Sequence, residues 1–459
     1  MVKLFDDFFA FMRYCLGYKR NISNVVAGMD WQKLYSFASK QALLGLCFDG
    51  IERLGEEYPE ELRLNPIGRE LLMTWMGKAQ QIRRQNRKVN LVASKLFSML
   101  REDGMRCCVL KGQGNALMYP NPYSRTPGDI DVWIDASRER IMEYAQKKFE
   151  LEDDIRLQHL ETSLDGVPVE LHFFPCSMNN PIYHARLQKW FKRNADLQCS
   201  NVVCLPDGIG EIAIPTTAFN VIYQLTHLYH HFFDEGIGMR QIIDYFLVVN
   251  DFSKNVFLNN DLSNHPVNFS NHPVPLSKEG STFSPSPSSS GSGDVTAPSR
   301  CSEPLRSKDG GPSKVSPDCA GWDRLAIEGD NSAGSTTVVT SSASTALVVV
   351  QRELKYLGLW KFAGAVMYVL HEALGLSEEK MIAPMDEKRG KLLLAEILNG
   401  GNFGKHFTKY GHFTQQGMAK KYFLKIWRNM HFVRYYPAEA LSEPIFRTWH
   451  FFWRLKYRR

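Results

Sequence analysis

The chain contains no Cys-x-x-Cys pair, which removes the usual spacing of a zinc knuckle or a dithiol redox motif. Its nine cysteines are an odd number, with Cys107 and Cys108 adjacent inside an apparent strand, and read as reduced core thiols rather than a disulfide framework. Cys199 and Cys204 flank an apolar run, where a metal role is disfavoured. The opening stretch MVKLFDDFFAFMRYCLGYKR carries two early aspartates and helical periodicity in place of a basic and then apolar leader, so no signal peptide is expected. Nor is there an apolar run of about 20 residues such as a membrane-spanning helix needs; KFAGAVMYVLHEALGL is broken by His371 and Glu372. A formal net charge of +6 over 459 residues is small for a protein that coats nucleic acid along its length. These absences predict a soluble, cytoplasmic globular protein without a membrane span, and leave its oligomeric state open.

What is present is apolar surface. Hydrophobic residues make up 44% of the chain and aromatics 12%, enough for two or three domains with real cores. Residues 1–104 read as helical, with LFDDFFAFMRYCL and WQKLYSFASKQALLGLCFDGIERL placing apolar residues three and four apart. A long helix is predicted from about Glu70 to Leu100, with Asp103-Gly104 as its stop. Its basic middle, Arg83, Arg84, Arg87 and Lys88, is read first as a solvated face and second as a phosphate-facing patch.

From Met105 the texture changes. MRCCVL, GNALMYP, GDIDVWI, ASRERIMEYAQKKF and GVPVELHFFP read as strand, helix, strand, helix, strand. The predicted fold is of the α+β or α/β class, with a mixed β-sheet core over residues 105–214 flanked by mostly helical regions. Residues 215–251 return to helix. Residues 252–345, rich in Ser, Pro, Gly, Asn and Thr, are expected to form a long disordered insertion, because they hold too little apolar surface to offset their ordering entropy. Its end, STALVVV, either pairs as a strand or starts the next helix. Residues 346–459 form a C-terminal helical region that closes on FRTWHFFWRLKYRR. That tail is read first as an amphipathic helix whose rings pack on the body, and second as a surface for nucleic acid, membrane or an acidic partner.

The sharpest pattern is GDIDVWI. Side chains two apart on a strand share a face, so Asp129, Asp131 and Trp133 look one way and Ile130, Val132 and Ile134 the other. Alone, such a pair of acids fits the solvated face of an edge strand as well. Gly128 allows close backbone approach just before the strand, with Arg125 and Pro127 in the preceding turn. Further on, VPVELHF offers a strand with Val169 and Leu171 on one face and Glu170 and His172 on the other, so a third carboxylate can join the first two. Upstream, Lys111, Gly112 and Gly114 occupy a strand-to-helix turn that aims backbone N–H groups and a mobile cation at an anion. Clustered carboxylates repel unless a cation lies between them, and Mg²⁺ (or Mn²⁺) suits hard oxygen donors and phosphates. His227 and His231, one turn apart, have the spacing of a zinc pair, but a core or phosphate-side role is the plainer reading. Arg240 and Asp244, also one turn apart, read as a helix-surface ion pair.

In this order the elements resemble the nucleotidyltransferase superfamily, the DNA-polymerase-β-like fold: a glycine motif on a strand-to-helix turn, an Asp-x-Asp strand, and a third acid on a later strand. More narrowly, LKG followed by a tyrosine, R-x-x-GDIDVWI and VELHF resemble a bacterial family of uncharacterised nucleotidyltransferases with an LKG motif. HLYHHFFDEGIGMRQIIDYF and YLGLWKFAGAVMYVLHEALGL are similar to that family too. The likeness covers roughly residues 30–250 and 350–440 and is most specific over 109–134 and 167–174. It implies transfer of a nucleoside monophosphate from an NTP such as ATP to an acceptor, with release of pyrophosphate. It further implies that Asp129, Asp131 and Glu170 are catalytic and hold Mg²⁺ or Mn²⁺, and that Lys111, Gly112, Arg125 and Gly128 hold phosphates. His172 would then support the metal ligands, and Arg240 would stand beside the cleft.

The sequence departs from the superfamily pattern in two places. Lys111-Gly112-Gln113 replaces the usual Gly-Ser or Gly-Gly, so the hydroxyl that helps hold the triphosphate is missing and Lys111 or Arg125 has to compensate. The third acid is a glutamate. The acceptor stays open among a small molecule, a protein side chain and an RNA end, and the alternative expectation is a catalytically inactive nucleotide- or RNA-binding module on the same fold.

Overall fold

A computed structural model describes residues 2–19, 21–151, 156–263, 342–404 and 418–457. Strands β1 (Cys107–Leu110), β2 (Ile130–Ile134), β3 (His159–Leu164) and β4 (Val167–His172) form one mixed sheet in the order β1-β2-β4-β3. β2 runs antiparallel to β1 and parallel to β4, and β4 runs antiparallel to β3. β2 is therefore an interior strand with all five residues buried, which removes the edge-strand reading of its acid.

The period-two alternation is realised in the packing. Ile130, Val132, Ile134, Val169 and Leu171 pack in one core with Val92, Leu96 and Leu100 of the helix Arg69–Glu102 and Ile141 of the helix Arg138–Lys148. Trp133 points the other way, into a second core, where it stacks on Phe219 with ring centroids 6.1 Å apart. Helices thus cover both faces of the sheet. Asp131, Glu170 and His172 share the Trp133 side, which faces the helices Pro181–Ser200 and Thr217–Asp234.

The long helix, expected from Glu70 to Leu100, spans Arg69–Glu102 and stops at Asp103 and Gly104, whose φ of +70° suits glycine. Of its basic residues, Arg83 pairs with Asp49 at 2.6 Å and Arg87 lies over the Tyr123 ring at 4.9 Å. β3 was absent from the sequence reading. It closes a hairpin with β4 through Asp165 and Gly166, both at positive φ (51° and 71°), as a two-residue turn of this kind requires. A smaller hairpin pairs β5 (Val202–Cys204) with β6 (Glu211–Ala213).

The predicted insertion at 252–345 lies largely outside the described residues. At its flanks the helix Met239–Ser263 enters it and the helix Ser342–Tyr356 leaves it, so the STALVVV stretch belongs to a helix and not to a strand. The first helix, Val2–Cys15, shares the second core with Trp360–Leu374, and Arg13 Nε donates to the Ala373 carbonyl at 3.1 Å.

The last helix, Pro437–Tyr457, turns only part of its aromatic set to the body, where the Arg138 guanidinium lies over the Trp453 ring at 5.2 Å. Trp449, Phe451 and Phe452 are 50%, 54% and 63% exposed, while Glu439 and Glu443 are buried. Glu439 accepts the Asn179 N–H at 2.6 Å, and Arg447 reaches Asp234 at 3.0 Å, so a polar stripe docks as well. No helix among the described residues is long and apolar enough to cross a membrane. The described cysteines are free, and Cys15, Cys47, Cys107, Cys108 and Cys176 are buried.

Candidate active site

The register of β2 and β4 brings the acids together. Asp131 lies opposite Glu170 and Trp133 opposite His172, so the two carboxylates stand side by side on parallel strands. His172 Nε2 sits between them, donating to Asp131 Oδ1 at 3.0 Å and to Glu170 Oε2 at 3.1 Å. Asp129 lies one residue before β2, at the exposed mouth of the same site.

The glycine turn completes the strand side. Lys111 follows β1 with a φ of +52°, unusual for a residue with a side chain, and Gly112 follows at +34°. This bend carries Lys111 Nζ to Asp131 Oδ2 at 3.1 Å and lets it donate to His227 Nε2 at 2.7 Å. Gly114 has little room for a side chain, since a Cβ there would meet Ile214 Cγ2 at 3.0 Å. Gly128 does not take the left-handed region, and open space surrounds its Cα.

Charge is arranged unevenly among the acids. Burial would raise the Asp131 carboxyl, but Lys111 and His172 outweigh it and hold the group below the usual carboxylate range. Burial likewise opposes ionisation of Glu170, and its hydrogen bond from His172 prevails. His172, although buried, is pushed up to about 9 by its two acceptors. The charge of Asp131 first, then desolvation and Glu170, push Asp129 up to about 6, and the Lys111 charge, which favours ionisation there, does not prevail. Carboxylates that disfavour one another's ionisation have hard oxygens that suit Mg²⁺ or Mn²⁺, although the grouping of ligand atoms within 4.8 Å among the described residues holds Glu170 and not Asp129 or Asp131. Beside them His159 Nδ1 stands 3.3 Å from Glu170 Oε2, and His159, Glu170 and His172 offer ligand atoms within 4.8 Å of one another.

Asp129 and Asp131 open onto a small cleft. Lys111, Gly112, Arg125, Gly128, Asp129 and Asp131 line one wall, all named from the sequence; Glu170 and His172 lie behind Asp131. The helical wall adds residues the sequence reading did not assign, among them Asn115, Gln224, Gln241 and Phe403. Asn115 and Gln224 exchange amide hydrogen bonds at 3.0 and 2.6 Å, which braces the short helix Gly112–Ala116 against the helix Thr217–Asp234. Phe403, at a φ of +55°, comes from the GGNFGK turn, whose glycines were the available signal.

Arg240 and Asp244 do not form the expected surface pair. Both are buried, and Asp244 takes Arg125 instead, through Nε at 2.9 Å and Nη2 at 2.7 Å. Arg240 Nη1 donates to the Thr126 carbonyl at 2.8 Å. His227 and His231 are in contact, Nε2 to Nε2 at 3.0 Å, and burial followed by the Lys111 charge keeps His227 neutral. The metal-ligand grouping within 4.8 Å among the described residues does not include this pair.

A family model described as "Uncharacterised nucleotidyltransferase" matches residues 27–263, slightly more than half of the chain, and the chain belongs to that family. Comparison with curated proteins and with solved structures finds no significant match.

Proposed function

We propose that this member of the uncharacterised nucleotidyltransferase family transfers a nucleoside monophosphate from an NTP to an acceptor hydroxyl, releases pyrophosphate and depends on a divalent cation. The observation that supports the reading is that Asp129 and Asp131 line a cleft with Lys111 and Gly112, while Glu170 pairs in register with Asp131 on the neighbouring strand, with Asp129 driven up to about 6 by its neighbours' charge.

Asp129, Asp131 and Glu170 are the residues that would hold Mg²⁺ or Mn²⁺, which supplies neutralisation of the charge developing at the transferred phosphate. His172 fixes the orientation of Asp131 and Glu170 by donating to both. Lys111 and the Gly112 backbone face the phosphates, Gly128 leaves open space beside them, and Arg125 contributes positive potential from behind its pair with Asp244. Glu170 orients the acceptor hydroxyl and takes its proton as the acceptor oxygen bonds to the α-phosphorus and the bond to pyrophosphate breaks. Chemistry of this class is mostly positioning and electrostatics.

A second reading, a catalytically silent nucleotide-binding module, is favoured by the internal neutralisation of Asp131 by Lys111 and His172. One experiment separates them. The full chain is incubated with α-labelled NTPs, Mg²⁺ or Mn²⁺ and fractions containing small molecules, proteins or RNA. Transfer predicts label on one acceptor class, lost in Asp129→Ala and Asp131→Ala. NTP binding that needs the metal, with no label from any NTP, favours the silent module.

A further inference from the structure

We infer that Arg240 and Gln241 form a built anion site in the helical wall of the cleft, which takes the terminal phosphates of the bound nucleotide and then the pyrophosphate product. This rests on the reading of the cleft as a nucleotide site. It assigns the phosphate-facing guanidinium to Arg240, whereas the sequence pattern had pointed to Arg125.

The two arginines differ in what they lack. Arg125 is 5% exposed and fully matched by Asp244, which accepts from its Nε at 2.9 Å and its Nη2 at 2.7 Å. Asp244 is also occupied by the Tyr119 hydroxyl at 2.7 Å. Arg240 is as deeply placed, 7% exposed, and among the described residues no ion pair reaches it. Its Nη1 is used on the Thr126 carbonyl, while its Nε is buried without a partner. Burial and the Arg125 cation both act against its charge. A buried guanidinium in that position is costly unless an anion completes it.

Gln241 repeats the deficit on the next residue. It is 7% exposed and lines the same cleft; its Oε1 accepts the Gly238 N–H at 2.7 Å, and its Nε2 is buried without a partner. Two adjacent unpartnered donors, one of them charged, call for an anion with several oxygens. With the α-phosphate at the strand-wall carboxylates, as that reading has it, Arg240 and Gln241 are the unpartnered donors on the helical wall of the same cleft left for the β- and γ-phosphates. Phe403, with its ring centroid 5.6 Å from the Arg240 guanidinium carbon, backs the charged group on that side.

The test measures binding of an NTP, its nucleoside monophosphate, pyrophosphate and tripolyphosphate to the full chain in the presence of Mg²⁺. Wild type should bind pyrophosphate and tripolyphosphate in competition with the NTP. Arg240→Gln and Gln241→Leu should each weaken NTP and pyrophosphate by about 10- to 100-fold, the loss expected for hydrogen bonds to a charged group. The same variants should leave monophosphate affinity within about twofold, because that ligand does not reach the site. Circular dichroism and thermal melting establish folding. Should Arg240→Gln not fold, Gln241→Leu and the wild-type competition decide the matter.

Failure of wild type to bind pyrophosphate or tripolyphosphate overturns the site, as do variants that weaken monophosphate as much as NTP. Label transfer measured in parallel keeps the two readings apart. Transfer with pyrophosphate binding untouched in both variants sinks the anion site and leaves the transferase standing. Selective pyrophosphate loss without any transfer upholds the anion site and sinks catalysis.

Discussion

Replacing Asp244 with asparagine removes one charge on which three buried groups depend. The carboxylate is 4% exposed; it accepts two hydrogen bonds from Arg125, itself 5% exposed, and one from the Tyr119 hydroxyl. Asparagine keeps the shape but turns an amide donor toward a guanidinium or a hydroxyl, and leaves Arg125 and Arg240 with no carboxylate between them. Removing one partner of a buried pair costs about 3–5 kcal/mol, whereas an exposed pair is worth about 1 kcal/mol or less, so the size of the loss reports the environment. Denaturant unfolding of the full chain, followed by circular dichroism and tryptophan fluorescence, should show the larger figure for Asp244→Asn and a comparable one for Arg125→Met. The double variant Arg125→Met with Asp244→Leu removes both charges together and should lose markedly less than the sum of the single losses. A loss under about 1 kcal/mol for Asp244→Asn, or additive single and double losses, refutes the buried, mutually dependent pair.

Two further outcomes follow from shifted carboxyls. Asp129 is raised from 3.8 to about 6, so in the metal-free chain its favourable contribution is complete below its unfolded value and is lost as pH rises through 6. A cation has to displace that proton; Mg²⁺ or Mn²⁺ affinity should therefore fall between about pH 7.5 and about pH 5, with proton release visible as buffer-dependent binding heats that Asp129→Asn abolishes. Binding heats independent of buffer near pH 6 contradict this. Glu439 is raised from 4.5 to about 7 by burial, against the pull of the Asn179 and Asn180 N–H groups. Its contribution is present below 4.5 and lost as pH climbs to 7, so melting temperature should decline over that window in wild type and decline less in Glu439→Gln. Parallel melting curves for the two proteins across that range dispose of the prediction.

The parts of the site that were legible in the sequence are those set by local periodicity. Asp131 and Trp133 share a face because a strand alternates, and the same rule paired Glu170 with His172 before their strands were known to be neighbours. The Arg69–Glu102 helix was readable because its apolar spacing is long and its stop is a glycine. What escaped was set by distance along the chain. Arg125 and Asp244 are 119 residues apart, and the one-turn spacing of Arg240 to Asp244 suggested a closer partner that tertiary packing overrode. β3 escaped because HLETSL mixes polar and apolar residues without clean alternation, although Asp165-Gly166 was a usable turn signal. The last helix had a readable amphipathic pattern, but nothing local says which face docks. Glu439 finds its backbone donor at Asn179, 260 residues away.

The sheet's parallel pairing has a consequence for how the chain acquires its site. β1 with β2, and β3 with β4, are neighbours in sequence and can zip as local units, while β2 with β4 must close over the intervening segment. Asp131 belongs to the first unit and Glu170 to the second. Each half alone carries one of the two acids, and the β2–β4 pairing that joins the halves is what sets Asp131 beside Glu170. A cation bound across that seam would tie the two units together at the β2–β4 pairing, so its removal should loosen the sheet there.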